Sequence, residues 1–159
     1  MNKTLVAVLI ASIAVGTYVA SPFISVGSLP DTLRSGNVDN IGQAIDFPSV
    51  RSNMKNEVKA TMMKKITNDP KDNPFSGLVL VMAPAIIDNT IEAMITPQAF
   101  VKIIEKSGTN PNGRTLDYDS AGFTGISTFS VTLKNNNKFH FRFTGTGWTL
   151  YRVEIKLES

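Results

Sequence analysis

The chain has no cysteine among its 159 residues. That removes disulfide scaffolds, Cys-ligated zinc, iron–sulfur clusters, thiol catalysis and Cys-linked lipid anchors. There is one histidine, His140, so one chain holds no multi-His metal site. Charge is scarce as well: 18% of residues are charged, against about 25% in an ordinary globular chain. The net charge of +3 is mild. Nucleic-acid binding needs a dense basic surface with stacking aromatics on the same face, and the sequence has no such pattern. Apolar residues are plentiful, at 42%. The chain is therefore too apolar to be disordered, and its length suits one domain with a short appendage.

The apolar residues concentrate first at the N-terminus. After Lys3, the stretch Leu5 to Ala20 carries no charge, and its polar members are Ser12, Thr17 and Tyr18. Sixteen residues as a helix span about 24 Å, and continuing through Ile24 gives about 30 Å, the thickness of a bilayer core. Two readings stay open. In one, residues 1–24 are an uncleaved anchor that meets the membrane through residues 5–24, with Tyr18 and Phe23 at the far interface. In the other they are a secretory signal, cut after Ala14-Val15-Gly16 and before Thr17. A buried N-terminal helix would show a polar face, and this segment has none. Lys3 precedes the segment and the next basic residue is Arg34. The positive-inside bias then leaves the N-terminus in the cytoplasm and residues 25–159 outside, in the periplasm of a Gram-negative host. The alternative location is secreted or periplasmic after cleavage.

Residues 21–107 read as helical. Ser21-Pro22 is placed to cap a new helix, with breaks at Pro30 and Gly36. Asp39 to Ile45 is a short helix with Asp39 as its N-cap. Asp46-Phe47-Pro48 starts a longer one, whose Val50, Met54, Val58 and Met62 recur every four residues on one face. A polar loop follows from Asn68 to Pro74. Gly77 to Ile87 is apolar but short and interrupted by Pro84, so it reads as a core helix kinked or split there. Beyond it, Asp88 and Glu92 form a polar edge, with Ile87, Ile91, Met94 and Ile95 inside. Thr96-Pro97 starts a further short helix through Phe100, Val101, Ile103 and Ile104, which stops at Ser107-Gly108. Thr109 to Gly113 reads as a loop.

Residues 114–157 read as strands. Phe129, Val131 and Leu133 alternate with Ser130, Thr132 and Lys134, and Phe139, Phe141 and Phe143 alternate with Lys138, His140 and Arg142. A three-residue loop, Asn135 to Asn137 with Asn137 left-handed, would pair Leu133 with Phe139, Val131 with Phe141 and Phe129 with Phe143. After a turn at Thr144–Gly147, Trp148 and Leu150 keep the apolar face. The parity then shifts to Val153, Ile155 and Leu157, which predicts a β-bulge near Tyr151-Arg152. The fold class is α+β: an N-terminal transmembrane or signal helix, then several helices on one face of a C-terminal antiparallel sheet of three or more strands. A cystatin-like or NTF2-like arrangement would satisfy that order. The helices of residues 48–107 are expected to cover the dry face of the sheet.

Four stretches together resemble a bacterial family, domain of unknown function 2939. They are Tyr18…Ser21-Pro22-Phe23, Asp46-Phe47-Pro48-Ser49-Val50-Arg51, the helix from Asp88 into Ile95-Thr96-Pro97, and Gly147-Trp148-Thr149-Leu150. The resemblance covers roughly residues 18–157. It implies a membrane or export segment followed by a small α+β domain, and it implies no activity, cofactor or catalytic residue.

Chemistry-bearing residues are sparse. His140 has no carboxylate or nucleophile on its own strand to make it a general base. Asn110, Asn112, Gly113 and Asp119 fall at calcium-loop spacing, but Gly108 stands where Asp is needed and a strand follows where a helix is needed. Asp88 and Glu92 are one turn apart on a helix edge that water reaches, which is unsuited to acid–base work. Trp148, Phe139, Phe141 and Phe143 are candidates to line a ligand pocket, although the pattern is also that of a plain sheet core. Arg51, Lys55 and Lys59 form a basic helix stripe, with Lys64 and Lys65 beyond, that could meet anionic headgroups or simply face water. The sequence thus expects no cofactor and no metal. Its leading function is a non-enzymatic interaction or structural domain of the envelope, with protein or lipid partner unspecified. The alternative is a binding module for an apolar small molecule or lipid. An enzyme built from dispersed polar residues is a third reading.

Overall fold

The computed structural model describes residues 2–68, 76–99, 102 and 116–156. Helix α1 runs from Lys3 to Arg34 without a break, through both Pro22 and Pro30. The expected new helix at Ser21-Pro22 is therefore a continuation. Pro22 has no N–H to offer the Tyr18 carbonyl one turn back. The Ser21 hydroxyl donates to that carbonyl instead, at 2.7 Å. Both prolines are also buried, on the same face as Val26, Leu29 and Leu33. Packing and a substitute donor together offset the missing bond. The part of α1 before Tyr18 touches almost nothing.

Helix α2 spans Val38–Ala44, and its N-cap is Asn37 rather than Asp39: the Asn37 carboxamide oxygen accepts from Asn40 N–H at 3.1 Å. Asp39 lies inside the first turn, where a negative charge suits the helix dipole. Ile45 then forms a short parallel bridge with Leu150, and Asp46 N–H donates to the Leu150 carbonyl at 2.9 Å. Helix α3, Phe47–Asn68, starts immediately after it. Asp46 caps it, accepting from Ser49 N–H at 3.0 Å and from the Ser49 hydroxyl at 2.7 Å. Val50 and Met54 are buried, and Val58 and Met62 pack at the margin of the core, as their spacing predicts.

Helix α4, Ser76–Met94, departs from expectation. The stretch from Val81 to Ile86 is largely not core: Val81 is 77% exposed and Ile86 59%, and Met82, Pro84 and Ala85 are exposed beside them. Among the described residues, Ile87 and Ile91 of α4 and Ile95 just beyond its end, one every four residues, are buried, Ala83 is packed against the core, and Met94 faces outward. The reason is geometric. α1, α2 and α3 already lie against the sheet, and α4 packs chiefly on α3. After α4, Thr96 Oγ1 accepts from Ala99 N–H at 3.2 Å, the expected cap. The rest of that short helix, the loop from 69 to 74, the Thr109–Gly113 loop and all the calcium-loop residues except Asp119 lie outside the described residues.

The sheet has four antiparallel strands in the order β1 (Tyr118–Gly125), β2 (Thr128–Leu133), β3 (Lys138–Phe143), β4 (Trp148–Glu154). In the β2–β3 hairpin Phe129 pairs with Phe141 and Val131 with Phe139. The loop is three residues long, as expected, but consists of Lys134, Asn135 and Asn136: Leu133 N–H donates to the Asn137 carbonyl at 2.8 Å. Asn136, not Asn137, takes the left-handed conformation, at φ 62. Moving the loop back by one residue moves the register by two, so the faces are unchanged. The predicted bulge is present: His140 pairs with Arg152 while Phe141 pairs with Leu150, leaving Tyr151 as the extra residue. The dry face holds Phe129, Val131, Leu133, Phe139, Phe141, Leu150 and Val153, all buried. Its cover is wider than residues 48–107, because α1 and α2 share it with α3.

The hairpin yields a simple test. Asn136→Gly should leave thermal stability unchanged or slightly raised, since glycine adopts the same φ without strain. Asn136→Ile should lower stability by about 1–2 kcal/mol, read as a shift in the melting midpoint of the detergent-solubilised chain.

Candidate functional site

The clearest built feature is the junction between α1 and one end of the sheet. Ser21 is its hinge-pin. Its hydroxyl donates to the Tyr18 carbonyl and accepts from the Trp148 indole N–H at 2.8 Å. Tyr18 donates its own hydroxyl to the Ile126 carbonyl in the β1–β2 turn. The Tyr18 ring then meets Phe143 edge-on at 5.5 Å, Trp148 at 5.9 Å and Phe123 at 6.1 Å between centroids. Phe23 meets Phe129 at 4.9 Å. Each such aromatic pair adds about 0.5–1.5 kcal/mol beyond its buried area. This aromatic collar fixes the helix on the sheet in both rotation and height.

The four ligand-lining candidates divide between two roles here. Phe139 and Phe141 are buried in the dry-face core, and Phe141 with Trp148 also borders a cleft of about 270 Å³ beside Ser25, Leu29, Asn40 and Gln43 of α1 and α2. Trp148, also buried, and Phe143, half-buried, belong to the collar. The apolar groove lies elsewhere, with a volume of about 320 Å³, lined by Met54, Val58, Met62, Met94 and Ile155 among others. It sits between α3, the end of α4 and the end of β4.

The three cations of the stripe are all engaged by α4. Arg51 Nη1 lies 3.3 Å from Glu92 Oε2, and its Nε donates to the Ile95 carbonyl at 2.9 Å, capping the end of α4. Lys55 Nζ lies 2.6 Å from Glu92 Oε1, and Lys59 Nζ 2.7 Å from Asp88 Oδ1. The hydrogen bond and charge of Lys59 hold the Asp88 carboxyl below its usual range, against partial desolvation. Lys55, helped by Arg51, does the same for Glu92. Asp88 and Glu92 thus act as the rungs of an ion-pair ladder between two helices.

Two polar groups occupy the wet face of the sheet. His140 Nε2 is 3.0 Å from Glu154 Oε1, which also takes Arg152 at 2.9 Å. The carboxylate missing from the histidine's own strand thus comes from β4. The β3–β4 register locates it: Glu154 pairs with Lys138, two residues from His140 on the same face, a diagonal on the regular side of the bulge. Ser130 stands opposite His140, and among the described residues no hydrogen bond joins them. The second group is Arg142, which donates to Asp46 Oδ2 and lies 5.5 Å over the Tyr151 ring. Burial would raise the Asp46 carboxyl. The Ser49 hydrogen bonds and the Arg142 guanidinium outweigh it and hold the group low. Among the described residues no three acidic or His side chains gather as a metal site.

A family model described as a protein of unknown function (DUF2939) matches residues 11–103. The matched part takes in Tyr18 to Phe23, Asp46 to Arg51 and Asp88 to Pro97, and stops before the sheet. No curated protein and no solved structure matches the chain.

The junction and the ladder each generate a test. Ser21→Ala strips partners from the Trp148 indole and the Tyr18 carbonyl. It should cost about 1–3 kcal/mol and shift the emission of the single tryptophan to the red. For the ladder, both carboxyls have depressed folded-state values. Their contribution is full above the ordinary carboxylate range, near pH 4, and is lost as pH falls through the folded values. Protection of the α4 amides, taken relative to the intrinsic exchange rate at each pH, should therefore fall on acidification below about pH 4. Glu92→Gln should show faster exchange already at pH 7 and a smaller change with acid.

Proposed function

The chain belongs to the DUF2939 family, and we propose that it is a single-pass, membrane-anchored envelope domain with a non-enzymatic interaction role. Residues 1–24 carry the anchor and 25–159 the domain, the two joined through one helix. The N-terminus with Lys3 lies on the cytoplasmic side and the domain in the periplasm. One observation carries the reading. The described structure has one helix long and apolar enough to cross a membrane, and its most apolar stretch is unburied. Leu5, Val8, Leu9, Ile10, Ile13, Val15 and Val19 all stand exposed on it. Leaving such side chains in water forgoes about 1.5–3 kcal/mol each. Residues 3–20 as a helix measure about 27 Å, close to a hydrocarbon core. The same helix is then locked to the sheet at Tyr18 and Ser21.

The interaction role is supported at the other end. α3 starts beside Leu150, its Asn53 donates to the Tyr151 carbonyl at 3.1 Å, and its Val58 and Met62 reach the groove beside Val153 and Ile155. The helix therefore runs along β4 away from the collar. Val81, Met82 and Ile86 of α4 are exposed toward that end, which on the anchor reading is the one away from the membrane. That apolar surface is the natural meeting place for a protein partner. The second reading, an apolar small molecule or lipid as ligand, is favoured by the groove at Met54, Val58 and Met62. A cut before Thr17 would leave Tyr18 and Ser21 on the domain, so the secreted alternative keeps the same collar.

Membrane attachment is tested by fractionation. The chain should stay in the membrane pellet through alkaline carbonate washing. Ile10→Arg with Ile13→Arg, at roughly 2.5–3.5 kcal/mol each near a helix centre, should release it or block insertion. N-terminal sequencing of the mature chain separates anchor from cleaved signal: a chain beginning at Thr17 and recovered in the soluble fraction would refute the anchor.

A further inference from the structure

The collar carries a consequence for the sheet itself. Side chains on a helix lean toward its N-terminus. Tyr18 therefore reaches back along α1, toward the bilayer, and there its hydroxyl meets the Ile126 carbonyl. The β1–β2 turn stands at or below the level of Tyr18, where the apolar run from Leu5 to Ala20 has not yet ended. At the tip of that turn Ile126 is 91% exposed, with Phe123 partly exposed behind it. The antiparallel order of the strands puts the β3–β4 turn, Thr144–Gly147, at the same end.

Charge follows the same geometry. Residues 4–30, 120–133 and 143–151 contain no Asp, Glu, Lys or Arg. These are the segments that converge on the collar. Most charged residues of the sheet gather toward its opposite end, Asp117, Asp119, Lys134, Lys138, Glu154 and Lys156, with Arg152 mid-strand and paired with Glu154. The charges nearest the collar, Arg142 and Asp46, neutralise each other. An end free of charge, built of aromatic rings, Ser, Thr and Gly turns and one bare isoleucine, has the composition of an interfacial contact.

We infer that this end of the sheet is a second membrane contact, with Ile126 seated in the interfacial layer of the bilayer that α1 crosses. The inference rests on the anchor reading, and adds to it that the domain lies on the lipid surface rather than swinging from a stalk.

The absence of cysteine makes the test direct. Single-cysteine variants Ile10→Cys, Ile126→Cys and Lys138→Cys of the full chain, intact by mass, are labelled with an environment-sensitive fluorophore. They are then reconstituted in phosphatidylethanolamine–phosphatidylglycerol vesicles that contain lipid-borne quencher. The expected result is quenching at position 126 within about twofold of that at position 10, and little at position 138. Quenching at position 10 with none at 126 would leave the anchor standing and overturn the second contact. A chain that does not enter vesicles, with no quenching at position 10, would overturn the anchor reading and this inference with it.

Discussion

The molecule depends on the hydroxyl of one serine. Pro22 removes a backbone donor from the middle of a long helix, and Ser21 supplies the replacement while receiving the Trp148 indole. One oxygen thus keeps the helix continuous and fastens it to the sheet. Its position sets the rotation of α1, and that rotation decides which residues follow. Val26, Leu29 and Leu33 turn inward onto the dry face, and Tyr18 is brought against Phe123, Phe143 and Trp148. The earlier turns, with no sheet beneath them, keep their apolar side chains bare.

Space on the dry face governs the rest. Three helices fill it, and the fourth is left to pack chiefly on α3. Among its described residues α4 is held to the core by Ile87 and Ile91, with Ile95 just past its end, and the ladder of Arg51, Lys55 and Lys59 with Glu92 and Asp88 runs along that seam. Exposed ion pairs are each weak. Here they contribute direction more than strength, by fixing which face of α4 turns toward α3. The apolar residues on its first half, Val81, Met82 and Ile86, consequently face outward.

Much of this was legible in the sequence, and the rest was hidden for identifiable reasons. The two sheet faces followed from period-two alternation, and the bulge at Tyr151 from the change of parity between Leu150 and Val153. The face of α3 followed from its spacing of four. The hairpin loop was misplaced by one residue because a register shift of two preserves every face, so hydrophobic pattern cannot detect it. Pro22 and Pro30 look like breaks until the Ser21 hydroxyl and the burial of both rings are known. α4 looked like core because hydropathy measures a side chain and not its neighbours. At the candidate site, Trp148 and the phenylalanines were visible as an aromatic set. Their division into buried core and collar depended on Tyr18, more than a hundred residues away. The Glu154 partner of His140 lies on the neighbouring strand, where the β3–β4 register locates it and the pattern of β3 by itself does not.

The unbroken course of α1 has a mechanical consequence. If the apolar stretch is seated in a bilayer, a linker of a few flexible residues would let the domain tumble independently of it; instead the helix that leaves that stretch at Ala20 is already packed at Pro22 and Val26. Any tilt imposed on the first turns, as when a bilayer is thinner than the helix is long, is passed to the sheet as a rotation of the same size. The exposed Val81 and Met82 of α4 sit on the far arm of that lever and sweep through the widest arc. Bilayer thickness would then set the angle at which the apolar surface is presented.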